Sequence, residues 1–192
     1  DVSSVTAGDA LSAYNNPLDT TLAPGNLAAT KAIVIDTAVP TILGITSTVP
    51  GDGTYNLGQV INVIVTFSEP TTTGGSSLTF FNGETAVHFS GSTTTTSTYQ
   101  YTVGATENST SLNVQTFNSG GSVDDAGNAL ITTLPGGANL ADNEVIIIDN
   151  TAPSLTSITG VNGYYKLGDT VDITLNFDEV VTSSTSTITL NT

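Results

Sequence analysis

GDGTYNLGQVINVIVTFSEP occupies residues 51–70, and VNGYYKLGDTVDITLNFDEV occupies residues 161–180. In the first stretch Ile61, Val63, Val65 and Phe67 alternate with Asn62, Ile64 and Thr66. In the second, Val171, Ile173, Leu175 and Phe177 alternate with Asp172, Thr174 and Asn176. Side chains of a strand point to opposite faces in turn, so an apolar set at every second position marks a strand with one buried face. The apolar set persists between the copies while the alternate set varies, as one packed and one open face require. Both copies carry an acidic residue just after the last core position, at Glu69 and Glu179.

The duplication reaches further. Asp36-Thr37-Ala38-Val39-Pro40 is matched 113 residues later by Asp149-Asn150-Thr151-Ala152-Pro153, and Tyr55 is matched 110 residues later by Tyr165. LAPGNL at 22–27 is matched by LPGGANL at 134–140. Recurrence at a nearly fixed spacing signals repeated structural units, with the drift taken up in loop length. The phase divides the chain into residues 1–36, the C-terminal half of one unit; 37–149, a complete unit; and 150–192, the N-terminal half of the next. A half unit exposes its inner face and its strand edges. Either the sequence is a window on a longer repeat protein, or the halves complete each other between chains by strand complementation.

Within the complete unit the alternation predicts strands at Thr41–Thr46, Val60–Phe67, Ser77–Phe81, Ala86–Phe89, Thr98–Val103, Ser111–Phe117 and Glu144–Ile148, separated by Gly, Asn, Asp and Ser turns. A short turn of helix is expected at most in the loop 124–128. Long stretches of helix-forming residues are absent, while Thr and Val, which favour strands, are abundant. The expected fold is all-β, as tandem seven-stranded Greek-key immunoglobulin-like β-sandwiches, with a small barrel as the competing architecture.

Charge narrows the partners. Seventeen Asp and Glu stand against two Lys and Arg, for a formal net charge of −15. Such a surface repels nucleic acid and anionic lipid, and Lys31 and Lys166 are too few to neutralise it. Divalent cations are the obvious counterweight where carboxylates cluster, Ca2+ above all; a merely solubilising acidic surface is the plain alternative. There is no cysteine, so disulfides and thiolate metal sites are excluded. The single histidine, His88, reads as an ordinary strand residue. The longest aliphatic runs, such as VIII at 145–148, are too short to span a bilayer, so no membrane insertion is expected of this fragment. No basic leader opens the sequence, which places any export signal outside it.

The stretches VIDTAVP and IIIDNTAP, the twin segments around 54–70 and 164–180, and VDDAGNAL followed by LPGGANLADN resemble the tandem immunoglobulin-like or cadherin-like repeats of large bacterial and archaeal surface proteins. The resemblance covers most of the chain through the fixed order of its motifs. It implies extracellular β-sandwiches strung end to end in an adhesin, a biofilm matrix or a surface layer, many of which bind calcium near unit junctions. Its partners would be neighbouring repeats or copies of the same protein, or a glycan or surface protein. The chain departs from the pattern at Thr37, where the second junction has Asn150, and at LSAYNNPL (11–18), which lacks the acidic pair found at 124–125.

Candidate ligands follow from position. Asp36 and Asp149 precede a proline by four residues, at the junctions. Calcium takes six to eight hard oxygens, so Glu69 is expected to share an ion with the Asp149 junction, including Asn150, or with its neighbours. Glu179 would do the same one unit later. Asp124, Asp125 and Asn128 form a second group, and Asp52 a further candidate. No single segment has the spacing of an EF-hand loop, so ligands distant in sequence are expected. Against these stands the tendency of Asp and Asn to populate turns. Catalysis has no footing: there is no Ser–His–Asp set, no Gly-x-Ser-x-Gly elbow and no phosphate loop, and the adjacent pairs Asp124–Asp125 and Asp178–Glu179 are not opposed carboxylates of a glycosidase. The chain is expected not to be an enzyme. Asn108-Ser109-Thr110 matches an N-glycosylation acceptor.

Overall fold

In the computed structural model the alternating set Ile61, Val63, Val65 and Phe67 is buried, as are Tyr99, Tyr101, Val103, Leu112 and Val114. The structure describes residues 31–49 and 51–190, with the isolated positions 4, 20 and 21. The expected C-terminal half unit therefore lies largely outside the described residues.

Among the described residues the chain is all-β with one short helix. Its elements are β1 (Ile42–Val49), β2 (Gly53–Tyr55), β3 (Val60–Thr71), β4 (Ser77–Phe80), β5 (Thr85–Ser90), β6 (Thr94–Thr102), β7 (Val114–Asn118), α1 (Leu140–Asn143), β8 (Ile146–Ile148), β9 (Leu155–Gly160) and β10 (Ile173–Phe177). Six strands form one antiparallel sheet in the order β1-β3-β6-β5-β4-β7, β2 pairs with β8 in parallel, and β9 pairs with β10 antiparallel.

The sheet curls so that both of its edges reach the segment 138–148. On the β1 edge, Ile45 N–H donates to Ala138 O at 2.9 Å and Asn143 Nδ2 donates to Ile45 O at 2.9 Å. On the β7 side, Asn139 Nδ2 donates to Val114 O at 2.8 Å and Leu112 N–H to Ile146 O at 2.8 Å. Free strand edges are sites of unwanted pairing, and here one segment covers both. Its helical turn is fixed by a capping box: Asn139 Oδ1 accepts from Leu140 N–H, and Asp142 returns the bond to Asn139 N–H.

Inside the curl the aromatic rings pack edge to face. Phe67 meets Phe117 at 6.0 Å between centroids, and Tyr99 meets Phe117 at 5.8 Å. The buried Tyr99 hydroxyl is paired with Ser76 Oγ at 2.6 Å. Burial pushes that phenol up to about 12, and hydrogen bonds from Ser76, Thr73 and Ser97 moderate the rise.

Besides shifted ends at β1, β6 and β7, three features differ from the expectation. The helical turn lies at 140–143, not in the loop 124–128. The short strand β2 was not foreseen, because three residues carry no readable period. And β3 does not stop at Phe67; it runs through Glu69 and Pro70 to Thr71. Its ladder with β6 is irregular between Thr66 and Thr71, which accommodates a proline that has no N–H to donate.

The hairpin β9–β10 repeats β1–β3 bond for bond. Leu155 faces Phe177 as Ile42 faces Phe67, Ile158 faces Leu175 as Ile45 faces Val65, and Gly160 faces Ile173 as Ser47 faces Val63. Ser68 N–H donates to Thr41 O, and Asp178 N–H donates to Ser154 O. The Tyr55 hydroxyl caps Gly51 O, and that of Tyr165 caps Val161 O. Gly58 and Gly168 take the same left-handed turn, with φ of +80° and +94°. What the hairpin lacks is cover. The residues matching β2 form no strand there, as a strand requires a partner, and β10 is 5 residues against 12 in β3.

Candidate metal centre at the linker pole

Three carboxylates from three separate elements converge where the linker meets the sheet. Asp36, Glu69 and Asp124 each offer an oxygen within 4.8 Å of the other two. Calcium–oxygen distances of about 2.3–2.6 Å put ligands on opposite sides of one ion about 5 Å apart, so the spacing suits a shared divalent cation.

Each of the three carboxylates is held by its own local structure. Asp124 opens a tight loop in which Val123 bridges Ala129, and Gly127, at φ +91°, makes the reversal. Its Oδ1 accepts Asn128 N–H at 2.8 Å and its Oδ2 accepts Asn128 Nδ2 at 2.8 Å. Asp36 turns the linker by accepting Ala38 N–H at 3.0 Å, and its carbonyl accepts from Asn128 Nδ2 at 3.2 Å. Ile131 N–H then ties the linker down through Pro40 O at 2.9 Å. Glu69 sits in the irregular part of β3, where Thr71 Oγ1 donates to its carbonyl at 2.9 Å. A cavity of about 180 Å³, lined by Val34, Asp36, Asp125 and Ala126, adjoins the group.

The electrostatics are those of uncompensated acids. Loss of solvent, then the charges of Asp36 and Asp124, raise the Glu69 carboxyl above the usual carboxylate range. Burial also pushes Asp124 up, but the Asn128 side chain and the backbone N–H groups of Asn128, Ala126 and Gly127 outweigh it, and Asp124 ends below its ordinary value. Glu69 therefore binds its proton more tightly folded than unfolded. Without metal, stability should fall as pH rises through the window that starts at the ordinary Glu value of 4.5 and ends at the raised one. Melting curves in chelator between pH 4 and 7 check this: a decline that Glu69→Gln abolishes is expected, and a rise attributable to Glu69 would contradict it.

The remaining candidates fall elsewhere. Glu69 groups with Asp36, not with Asp149: β1 begins beside Phe67, whereas Asp149 donates its N–H to Tyr55 O at the far end of the unit. Asp125 is exposed beside the cavity and outside the triad. Asn128 braces Asp124 and Asp36 through its amide nitrogen. Asp52 is occupied in joining β2 to β8, accepting Val145 N–H at 2.7 Å.

Asn150 is a clamp between loops. Its Oδ1 accepts Leu57 N–H at 2.6 Å, and its Nδ2 donates to Gly104 O at 3.0 Å and Glu107 O at 2.6 Å. Its N–H reaches Asn108 Oδ1 at 2.8 Å, so the acceptor-motif asparagine is part of the same lock. Asp149 accepts Thr151 N–H at 2.9 Å in the turn that Asp36 makes with Ala38. Glu179 is half-buried, with an Oε1 that has no hydrogen bond among the described residues. Among those residues neither Asp149 nor Glu179 belongs to a group of three carboxylates. His88 packs edge-on against Tyr99 at 5.7 Å.

Compared with known protein families, with curated proteins and with solved structures, the chain matches none of them.

Proposed function

We propose that the chain is a segment of an extracellular repeat protein whose immunoglobulin-like units are linked end to end and held at their joints by calcium. It would serve as a stalk, a matrix element or part of a surface layer rather than as an enzyme. The observation that carries this reading is the meeting of linker Asp36, strand Glu69 and loop Asp124 within 4.8 Å. An ion there ties the linker to the unit that follows it. Without one the three acids repel.

Strand order supports the finer fold. The run β1-β3-β6-β5 corresponds to the A-B-E-D sheet of an immunoglobulin-like sandwich. Strands β4 and β7 then stand for C and F, and β8, bridged to Ser109 in the segment that leads into β7, stands for G. Among the described residues no helix is long and apolar enough to cross a membrane. The rival reading, a glycan- or protein-binding module built on exposed tyrosines, is weakened by Tyr165, whose counterpart Tyr55 is a core residue.

The test is calorimetric titration of the full 192-residue chain with calcium chloride, with melting temperature and small-angle scattering read in parallel. Binding at up to millimolar calcium is expected, with a melting temperature that climbs with ion concentration. Glu69→Gln should weaken binding at least about tenfold, which is about 1.4 kcal/mol, while Thr66→Ser should not. No binding at millimolar calcium, with scattering unchanged by chelation, would sink the proposal.

A further inference from the structure

The acids of this chain are unevenly placed. It carries 17 Asp and Glu, yet strands β4 (SLTF), β5 (TAVHFS), β6 (TTTSTYQYT) and β7 (VQTFN) contain no Asp, Glu, Lys or Arg. The acids of the complete unit sit in turns, loops and the helical turn, with Glu69 at the irregular end of β3. The outward positions of these strands line up as a neutral face. Asn118 pairs with Ser77, Ser77 with Val87, Val87 with Gln100 and Gln100 with Asn62. This row alternates with the buried Phe117, Leu78, Ala86, Tyr101 and Val63.

Three large apolar side chains stand on this face or at its rim. Val87 is 61% exposed, Phe89 60%, and Phe81, which follows the buried Phe80 at the tip of the β4–β5 hairpin, 66%. Phe89 is placed by a bulge: the register with β6 shifts between His88 and Ser90, which makes Phe89 the extra residue. A bulge re-aims a side chain at the expense of the ladder, and here the side chain left in solvent is a phenylalanine. Single exposed apolar residues are ordinary; three along one uncharged hairpin mark a contact surface. The chain joins this unit at Pro40, bonded to Ile131, and leaves it at Asp149, bonded to Tyr55. Strand β5 lies inside the six-stranded sheet, with β1, β3 and β6 on one side and β4 and β7 on the other. The face is therefore on the flank of the unit, away from the joints through which the chain continues.

We infer that two copies of the chain meet flank to flank on this face, with Phe81, Val87 and Phe89 of each packed against the same patch of the other. The occupant follows from charge. At a formal net charge of −15, two copies repel wherever their acids face each other. A cationic partner would be drawn to the loops and poles that carry the acids, and gains nothing from a face without any. A partner of the same charge is turned away from those regions and can approach where the charge is missing. The apolar side chains then supply the contact, and the hydroxyls and amides of Thr79, Thr85, Thr98 and Gln100 its polar surround. A patch that meets its own copy closes as a two-fold pair. The contact needs no metal and does not rest on the calcium reading.

Sedimentation equilibrium of the full 192-residue chain in chelator tests this. At up to millimolar chain the average mass should rise from that of one chain toward that of two. The rise should begin at lower concentration in about 1 M salt, where charges are screened beyond about 3 Å. Phe89→Asp should weaken the association at least about tenfold and leave the melting temperature unchanged, since the ring stands mostly clear of the core. Val87→Asp, at the neighbouring outward position, is a second variant of the same face. Leu57→Asp adds the same charge at an exposed leucine outside these strands and should leave the association as it was. A monomer at every salt concentration overturns the inference, including one that retains a soluble neutral polysaccharide such as dextran on this face. So does an association that Phe89→Asp and Val87→Asp leave intact, or that Leu57→Asp weakens equally. The chelator keeps these outcomes independent of calcium.

Discussion

Phe67→Ala should destabilise the complete unit by about 3–5 kcal/mol, the cost of emptying a ring from a closed core. Phe177→Ala, at the same place in the repeat, should change it by no more than about 0.5 kcal/mol, the range of surface substitutions. The two phenylalanines occupy the same register position, opposite Ile42 and Leu155. Phe67 is 2% exposed and locked edge-on against Phe117, whereas Phe177 is 39% exposed. Denaturant midpoints in dilute solution compare them directly. Equal losses would mean that β10 is packed as β3 is, and would contradict the uncovered hairpin.

Asn150→Ala should cost about 1–3 kcal/mol, because it strands the Leu57 N–H and the carbonyls of Gly104 and Glu107 without their partner. Asn150→Asp separates the clamp from a ligand role. An aspartate keeps the oxygen that faces Leu57 but sets a second carboxylate oxygen against two carbonyl oxygens. As a clamp it should lose more stability than the alanine variant, with or without calcium. If Asn150 were a metal ligand, the aspartate would bind calcium better and recover its stability in the ion. Melting both variants in chelator and in calcium decides between these outcomes.

The core was legible because period two is a strong signal: Ile61 to Phe67 and Tyr99 to Val103 are buried where the alternation puts them. The repeat was legible in the same way, down to the turn glycines. The candidate site was legible only as a set of residue types. Glu69 was visible as an acid beside a core strand, and Asp124 as part of an acidic loop. That Glu69 faces the linker before its unit, and not the one after, depends on which end of β1 lies beside Phe67, and pairing between strands leaves no local mark. Asn150 and Asp52 went unrecognised for a related reason. An amide that holds loops and a carboxylate that caps a strand use the same side-chain oxygens as a ligand, and only the three-dimensional partner distinguishes them. The comparison of Asp36-Thr37-Ala38 with Asp149-Asn150-Thr151 held one usable hint, since an asparagine present at one junction and absent at the other is not needed for the turn the two share.

The parallel pairing of β2 with β8 bears on how the unit would carry tension. The chain comes in through Pro40, whose carbonyl accepts from Ile131 N–H, and leaves through Asp149, whose N–H donates to Tyr55 O. A pull applied at those two points draws β8 forward along its own axis while β2 is held back with the rest of the unit through β1 and β3. Because these strands run the same way, the load falls on their hydrogen bonds side by side, as shear, instead of parting them one after another like a zip. Sheared bonds must fail together, which slows forced unfolding, a process set by the unfolding rate and not by equilibrium stability. A three-residue pair that adds little to the melting temperature can in this way set the force at which the unit gives.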